Sequence, residues 1–287
     1  MSRLIVNADD LGLTAGVNRA IFELHAAGLV TSASLMARAA AASQAMAMAR
    51  ATPSLGVGCH VVLVDGEPVL PPAQIPSLVD LRSGQFLPTL TAFLLRLFTG
   101  RIRAAEVEAE TAAQLSRLLR EGLRLTHIDT HKHVHVFPQV LRPVLQAARA
   151  AGIRAVRHPF EPEWAVRAAA RAPLSRVAEI TALRRLAPRS RRILQELGFS
   201  TTDGTIAMAG TGTLDAQALR SLLRLIPGGT WELVTHPGYN DADLARVPTR
   251  LRESRDLERA ALAALPEVPG IELISFAALE PAATPSG

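Results

Sequence analysis

Residues 4–14, Leu-Ile-Val-Asn-Ala-Asp-Asp-Leu-Gly-Leu-Thr, set the pattern from which the fold is predicted. Leu4–Ala8 is a short apolar run typical of a buried strand. Thr14 is a good N-cap for the helix that we expect to follow it. Two carboxylates, Asp9 and Asp10, stand between the strand and the helix. The chain therefore opens with a strand, an acidic loop and a helix.

The same alternation continues along the chain. Further strands are predicted at 32–36, 56–63, 126–130, 155–157, 205–209, 232–235 and 272–275, and further helices up to residue 51 and at 104–121, 143–151, 214–225 and 250–264. Alternating strands and helices favour a parallel sheet, and seven or eight strands favour its closure into a barrel. We predict one α/β domain over residues 1–280, a TIM-barrel-like (β/α) barrel, followed by a flexible tail at 281–287.

Composition narrows the class of protein. The 287 residues are 48% hydrophobic and 20% charged, enough to bury a large core, and no apolar stretch is long enough to cross a bilayer. The single cysteine, Cys59, excludes an intrachain disulfide framework and is typical of a reducing cytosol. The net charge is +5, but the arginines are scattered, so we expect no nucleic-acid partner. We expect a cytoplasmic protein; the arginines at 184–192 indicate a solvated helix face or, alternatively, peripheral contact with the inner membrane surface.

Four of the eight histidines lie in one segment, His127-Ile-Asp-Thr-His-Lys-His-Val-His135. Imidazole is a frequent metal ligand and a good proton donor near neutral pH. Three other segments follow predicted strands: Asp9-Asp10, His60, and His236 in Thr-His-Pro-Gly. Taken singly, the aspartates would be helix caps and His60 a core histidine. Because the carboxyl ends of parallel strands share one face of a barrel, the combination predicts one metal-dependent hydrolytic site.

At this point the chain resembles a known family, the YdjC-type carbohydrate deacetylases. The shared motifs are Asn7-Ala-Asp-Asp-Leu-Gly12, Gly58-Cys-His60, the histidine segment with Phe137-Pro138, and Thr235-His-Pro-Gly238. They occur in order over roughly residues 3–280. The segment Leu63-Val-Asp-Gly-Glu-Pro-Val-Leu-Pro-Pro72, with residues 75–80, further resembles the hopanoid-biosynthesis-associated branch.

The resemblance implies a distorted (β/α) barrel whose metal is held by one aspartate and two histidines. Carried over by motif, the ligands would be Asp10, His60 and His131, and Asp9 would be the base. The branch implies removal of the acetyl group from an N-acetylglucosaminyl hopanoid lipid. Leu11 departs from the phenylalanine usual in the family, which touches packing beside the site.

The chemistry of amide hydrolysis favours the same residues. A divalent cation on two imidazoles and a carboxylate lowers the pKa of a bound water and polarises the carbonyl. We expect Asp9 to accept the water proton, His236 to protonate the leaving amine, and Arg157 to pair with Asp9 and keep it ionised. An Asp-His-His set serves several metals, so zinc and magnesium both remain open.

Other polar residues near these segments are assigned supporting roles. We predict that four of them either contact substrate or orient the metal ligands without touching the metal: Asp129, His133, His135 and Tyr239. The role of His158 is undecided.

Two questions stay open at this level. Residues 86–103 are apolar with basic ends, which indicates either a core helix or subunit contact, as in a homodimer, or a groove for a lipid-linked substrate. The predicted function is N-deacetylation of an amino sugar, lipid-linked in preference to a soluble N-acetylglucosamine oligosaccharide. The alternatives are a metal-dependent phosphoesterase and a non-catalytic sugar- or lipid-binding protein.

Overall fold

The computed structural model describes residues 1–169, 172–265 and 270–279. The tail predicted at 281–287 lies outside the described residues. The strands are β1 Ser2–Leu11, β2 Ser32–Leu35, β3 Gly56–Val61, β4 Ile128–Thr130, β5 Gly204–Ile206, β6 Gly229–Thr235 and β7 Ile271–Leu273. The helices are α1 Ala15–Ala26, α2 Ala42–Ala51, α3 Leu90–Phe98, α4 Ala104–Arg120, α5 Pro138–Ala150, α6 Glu163–Ala168, α7 Leu174–Leu183, α8 Ala187–Leu197, α9 Ala216–Leu223 and α10 Arg252–Ala263.

The strands form one parallel sheet in the order β4-β3-β2-β1-β6-β5, with β7 paired to the start of β1. The central strand β1 is buried from Leu4 onward, and apolar side chains of the helices pack on the sheet. All neighbours run in the same direction, so the carboxyl ends of the strands lie on one face. This face carries the candidate site.

Irregular chain segments join the two ends of the sheet. Ile128 of β4 donates its N–H to the carbonyl of Ala155 (3.0 Å), and Val156 donates to the carbonyl of Ser200 (3.0 Å), close to the start of β5. The predicted strand at 155–157 therefore exists as single bridges. Pro159 stands two residues after Arg157 and has no N–H with which to extend a hydrogen-bond ladder between strands. The sheet and these bridges form the distorted barrel that was predicted.

The helical layer differs from the prediction in one region. Helices α6 and α7 were not among the predicted helices, and α8 overlaps the arginine-rich stretch at 184–192, for which a solvated helix face was one of the two readings. The helix predicted at 143–151 begins earlier, at Pro138, since proline suits the first position of a helix.

The apolar segment 86–103 contains helix α3, which is capped by the Thr89 side chain. Phe93 and Leu97 point into the core, whereas Leu95 and Phe98 are 66% and 64% exposed. One face of α3 thus packs as a core helix would, and the opposite face is bare. No helix within the described ranges has the length and apolar character needed to span a membrane.

Candidate metal centre

The end of β1 separates its two aspartates by a change of backbone direction. Asp10 has φ 63°, in the left-handed region, and the N–H of Gly12 donates to the Asn18 side chain (2.7 Å). This tight turn lets the side chains of Asp9 and Asp10 point to different neighbours. Both are buried.

Three side chains from three strand ends converge on one point. Asp10 Oδ1 lies 3.5 Å from Nε2 of His60 and 3.3 Å from Nδ1 of His131. All three donor atoms lie within 4.8 Å of one another. In a tetrahedral zinc site with ligands about 2.0 Å from the metal, donors are roughly 3.3 Å apart. The three residues therefore fit a divalent cation.

The two oxygens of the Asp10 carboxylate face different groups. Oδ2 accepts a hydrogen bond from Nη2 of Arg255 (2.5 Å). Oδ1 is buried and, among the described residues, makes no hydrogen bond. Burial raises the pKa of Asp10, but Arg255, His131 and His60 outweigh burial and hold its pKa well below the usual range. An ionised, buried oxygen facing two imidazoles is the chemistry that a cation would satisfy.

Asp129 orients one of these imidazoles. In the register of β3 with β4 it lies beside His60, and its Oδ1 accepts a hydrogen bond from His60 Nδ1 (2.9 Å). With the proton on Nδ1, the Nε2 lone pair is directed towards Asp10. Burial lowers the pKa of His60, yet Asp129 and Asp9 outweigh it and raise the pKa to about 10. Protons and a cation therefore compete for the same nitrogen.

A second cluster of donors, Asp9, His60 and Asp129, also lies within 4.8 Å. Its carboxylates are already paired with Arg157, whose guanidinium donates to both oxygens of Asp9 (2.8 and 2.6 Å) and lies 2.6 Å from Asp129 Oδ2. A guanidinium in this position repels a metal ion. The Asp10 cluster is therefore the better candidate, and the ion pair expected between Arg157 and Asp9 is present.

Sequence reasoning missed a third carboxylate on this arginine. Glu232 of β6 accepts a hydrogen bond from Nε of Arg157 (2.7 Å), and both side chains are fully buried. Burial raises the pKa of Glu232 to about 7, even though Arg157 opposes the rise. The available signal was a glutamate in an otherwise apolar strand.

His236, at the end of β6, faces Asp9 on one side and α10 on the other. Its Nε2 lies 3.9 Å from Asp9 Oδ2, and its backbone N–H donates to Glu258 Oε2 (2.6 Å). Burial lowers the pKa of His236, but the neighbouring Glu258 and aspartates outweigh it, so the pKa is raised. Glu258 and Arg255 were not predicted; the only signal was a pair of charged residues on the buried face of an amphipathic helix.

The loop after β4 places the remaining predicted residues. Lys132 and His133 adopt left-handed backbone angles, with φ 55° and 52°. In the described part of the chain, Nδ1 of His133 is buried without a hydrogen-bond partner. His135 is buried, and its Nδ1 lies 2.7 Å from the hydroxyl of Thr130, which holds the loop together. Whether either histidine contacts substrate stays a prediction.

Tyr239, predicted to contact substrate or to orient a ligand, packs against arginines of α1 and α10. Its ring stands between the guanidinium groups of Arg19 and Arg259, 3.8 and 4.4 Å from the ring centre. Its hydroxyl donates to Glu23 of α1 (2.5 Å). These contacts hold Tyr239 between α1 and α10, and whether it contacts substrate stays a prediction.

The undecided His158 is also a buried histidine. It is buried against Phe160, with ring centres 4.9 Å apart, and burial together with Arg191 lowers its pKa to about 3. It is therefore a neutral histidine at physiological pH.

Comparisons with known proteins place the chain in a family. A family model described as YdjC-like protein matches residues 3–266. A carbohydrate deacetylase of Mus musculus is 36% identical over 250 residues, covering 83% of this chain and 78% of that protein. A carbohydrate deacetylase of Brevibacillus brevis is 42% identical over 158 residues, and the match spans 55% of this chain and only 60% of that relative's length. The crystal structure of a proposed cellobiose-phosphate cleavage protein from Enterococcus faecalis V583 superposes with a TM-score of 0.71 at 26% identity, covering 96% of this chain and 97% of that one.

Proposed function

The chain belongs to the YdjC-like family, and we propose that it is a metal-dependent N-deacetylase that hydrolyses the acetamide of an N-acetylated amino sugar. The observation that carries the proposal is the convergence of Asp10, His60 and His131, with Asp9 and His236 beside them. Two relatives that are named carbohydrate deacetylase support a carbohydrate as the substrate class.

Each side chain has a role that its contacts support. Asp10, His60 and His131 would hold the cation, zinc or magnesium, which when bound supplies a Lewis acid for water and carbonyl. Asp9 is held by two hydrogen bonds from Arg157, which fix the direction of its carboxylate. A carboxylate has lone pairs beyond these two bonds, so Asp9 can still accept a proton from the attacking water.

The proposed proton donor, His236, lies close to Asp9. His236 Nε2 is 3.9 Å from Asp9 Oδ2, so one acetamide group bound beside both side chains would meet the base at the attacking water and the acid at its nitrogen. His236 would protonate the leaving amine as the C–N bond breaks. The products are acetate and a free amino sugar.

For the substrate, we favour an N-acetylglucosaminyl hopanoid lipid over a soluble oligosaccharide. The bare face of α3 supports this choice, because the exposed Phe98 packs edge-on against Phe137 (5.4 Å), directly after the loop that carries His131. An apolar surface beside the ligand loop suits a lipid tail. On this proposal the enzyme works in the cytoplasm, at the inner membrane surface.

Acetate release with and without a chelator tests the activity. His60→Gln removes one candidate ligand and should lower both bound metal and acetate release, whereas His25→Gln, on the outside of α1, should change neither. Elemental analysis reports the metal and an enzymatic acetate assay the turnover. Chelator-insensitive turnover, phosphate release, or ligand binding without turnover would each contradict the proposal.

A separate pair of variants tests the lipid preference. Leu95→Ser with Phe98→Ser makes the bare face of α3 polar, and Leu174→Ser, at a residue 87% exposed, is the matched control. The double variant should lose turnover of the lipid-linked substrate and keep turnover of a soluble N-acetylglucosamine analogue. Equal loss on both substrates would contradict the lipid assignment and leave the deacetylase assignment standing.

A further inference from the structure

Helix α10 carries two buried charged side chains on one face. Arg255 and Glu258 are each 1% exposed, and residues three apart lie on the same side of a helix. Burying charges costs free energy unless they are paired. Arg255 is paired with Asp10 and Glu258 with the backbone of His236, so the helix contacts both the cation cluster and the proton donor.

Gly238 allows the helix to lie this close to the Thr235–Gly238 turn. A Cβ on Gly238 would lie 3.1 Å from Cδ and 3.3 Å from Cβ of Arg255, tighter than ordinary contact. The N–H of Gly238 also donates to the carbonyl of Arg255 (3.2 Å). The missing side chain brings α10 within reach of His236.

The Glu258 carboxylate is held from two sides. Its Oε2 accepts the backbone N–H of His236 (2.6 Å), and its Oε1 accepts the N–H of Gly212 (3.4 Å). The same Oε2 lies 3.8 Å from Nδ1 of the His236 ring. A carboxylate fixed in this place restricts how the ring can turn.

Glu258 and Asp9 thus stand on opposite sides of one imidazole, beside Nδ1 and Nε2 respectively. A carboxylate next to Nδ1 favours a proton on that nitrogen and leaves Nε2 to face the reacting groups. We propose that Glu258 is a positioning residue that orients His236 for proton transfer to the leaving amine. The assignment rests on the proposed deacetylase function, in which His236 is the acid.

Glu258→Gln separates this role from a structural one. The variant keeps the size of the side chain and an oxygen that can accept the His236 N–H, but loses the charge beside Nδ1. Glu253→Gln, on the exposed face of the same helix, is the matched control. Measurements are kcat, KM, bound metal, melting temperature and the ¹⁵N resonance of His236 Nδ1.

We expect Glu258→Gln to lower kcat by about 10- to 100-fold, at most the lower end of what general acid catalysis contributes because His236 itself is still present, with KM and bound metal unchanged. The Nδ1 resonance of His236 should shift, and Glu253→Gln should match the wild type. In a His236→Gln background, Glu258→Gln should cause no further loss, because the two residues act as one unit.

Three results would overturn the assignment. These are a kcat above half the wild-type value in Glu258→Gln, a loss of metal or melting temperature that accounts for the lost activity, or additive losses in the double variant. If the wild type releases no acetate, the proposed function fails, and the NMR measurement still decides on Glu258. An unshifted Nδ1 resonance in Glu258→Gln would then refute its role.

Discussion

Replacing Arg157 by methionine should destabilise the fold more than any surface change. The guanidinium is fully buried and contacts three carboxylates, those of Asp9, Asp129 and Glu232. Methionine fills much of the volume but leaves these carboxylates without their cation. Breaking a buried pair by removing one partner typically costs about 3–5 kcal/mol.

This magnitude translates into a measurable change of melting temperature. For a domain of this size, 1 kcal/mol corresponds to roughly 2–4 °C, so Arg157→Met should melt about 10 °C below the wild type. Arg149→Met, on the exposed side of α5, is the matched control and should fall within about 0.5 kcal/mol of the wild type. Differential scanning calorimetry measures both.

The pH dependence gives a second check on the same reasoning. Burial raises the pKa of Glu232 to about 7, above the ordinary glutamate value of 4.5. Its protonated form therefore stabilises the fold fully below about pH 4.5, and this contribution is lost as the pH rises through 7. Without Arg157, which lowers this pKa, the carboxyl should titrate at still higher pH.

The melting-temperature difference between Arg157→Met and the wild type should therefore be larger at pH 8 than at pH 6. A difference that grows on acidification would refute the account. So would an Arg157→Met protein that melts together with Arg149→Met at pH 8.

Three further predictions concern the site and its supports. Asp9→Asn should keep the bound metal, since the candidate ligands are Asp10, His60 and His131 and the Asp9 carboxylate is paired with Arg157, while kcat falls by about 100-fold or more. Elemental analysis and acetate release check this, and surviving activity would show that the base is misassigned. His131→Ala removes one of three donors and should weaken metal binding about tenfold or more in a competitive chelator titration; unchanged affinity would exclude His131 as a ligand. Gly58→Ala places a Cβ inside the space of the His127 ring and should lower the free energy of unfolding by about 1–3 kcal/mol in urea; an unchanged midpoint would contradict the packing.

Strand ends were the part of the site that could be predicted. Asp10 and His60 lie in the last residues of β1 and β3 and His131 directly follows β4, and parallel strands bring their carboxyl ends to one face. The distorted closure at 155–157 could not be predicted as single bridges, because the local residues are compatible with a regular strand.

Side chains on helices were the part that could not be predicted. Arg255 and Glu258 look like ordinary charged residues of an amphipathic helix until α10 packs against the barrel mouth. The contacts of Tyr239 with α1 and α10 could not be predicted either, since nearness in sequence to His236 does not determine which way the chain turns after it. Helices α6 and α7 were not predicted, whereas the helix face suggested for the arginines at 184–192 falls largely on α8.

The sequence by itself determined the alternation of strands and helices, and the kinds of donor placed at the strand ends. By residue type alone it left Asp9 and Asp10 equivalent. The tertiary structure decided their difference: Asp9 pairs with Arg157, 148 positions away, and Asp10 with Arg255, 245 positions away. The charge state and direction of a buried carboxylate depend on the groups that surround it in space, and those groups come from distant parts of the chain.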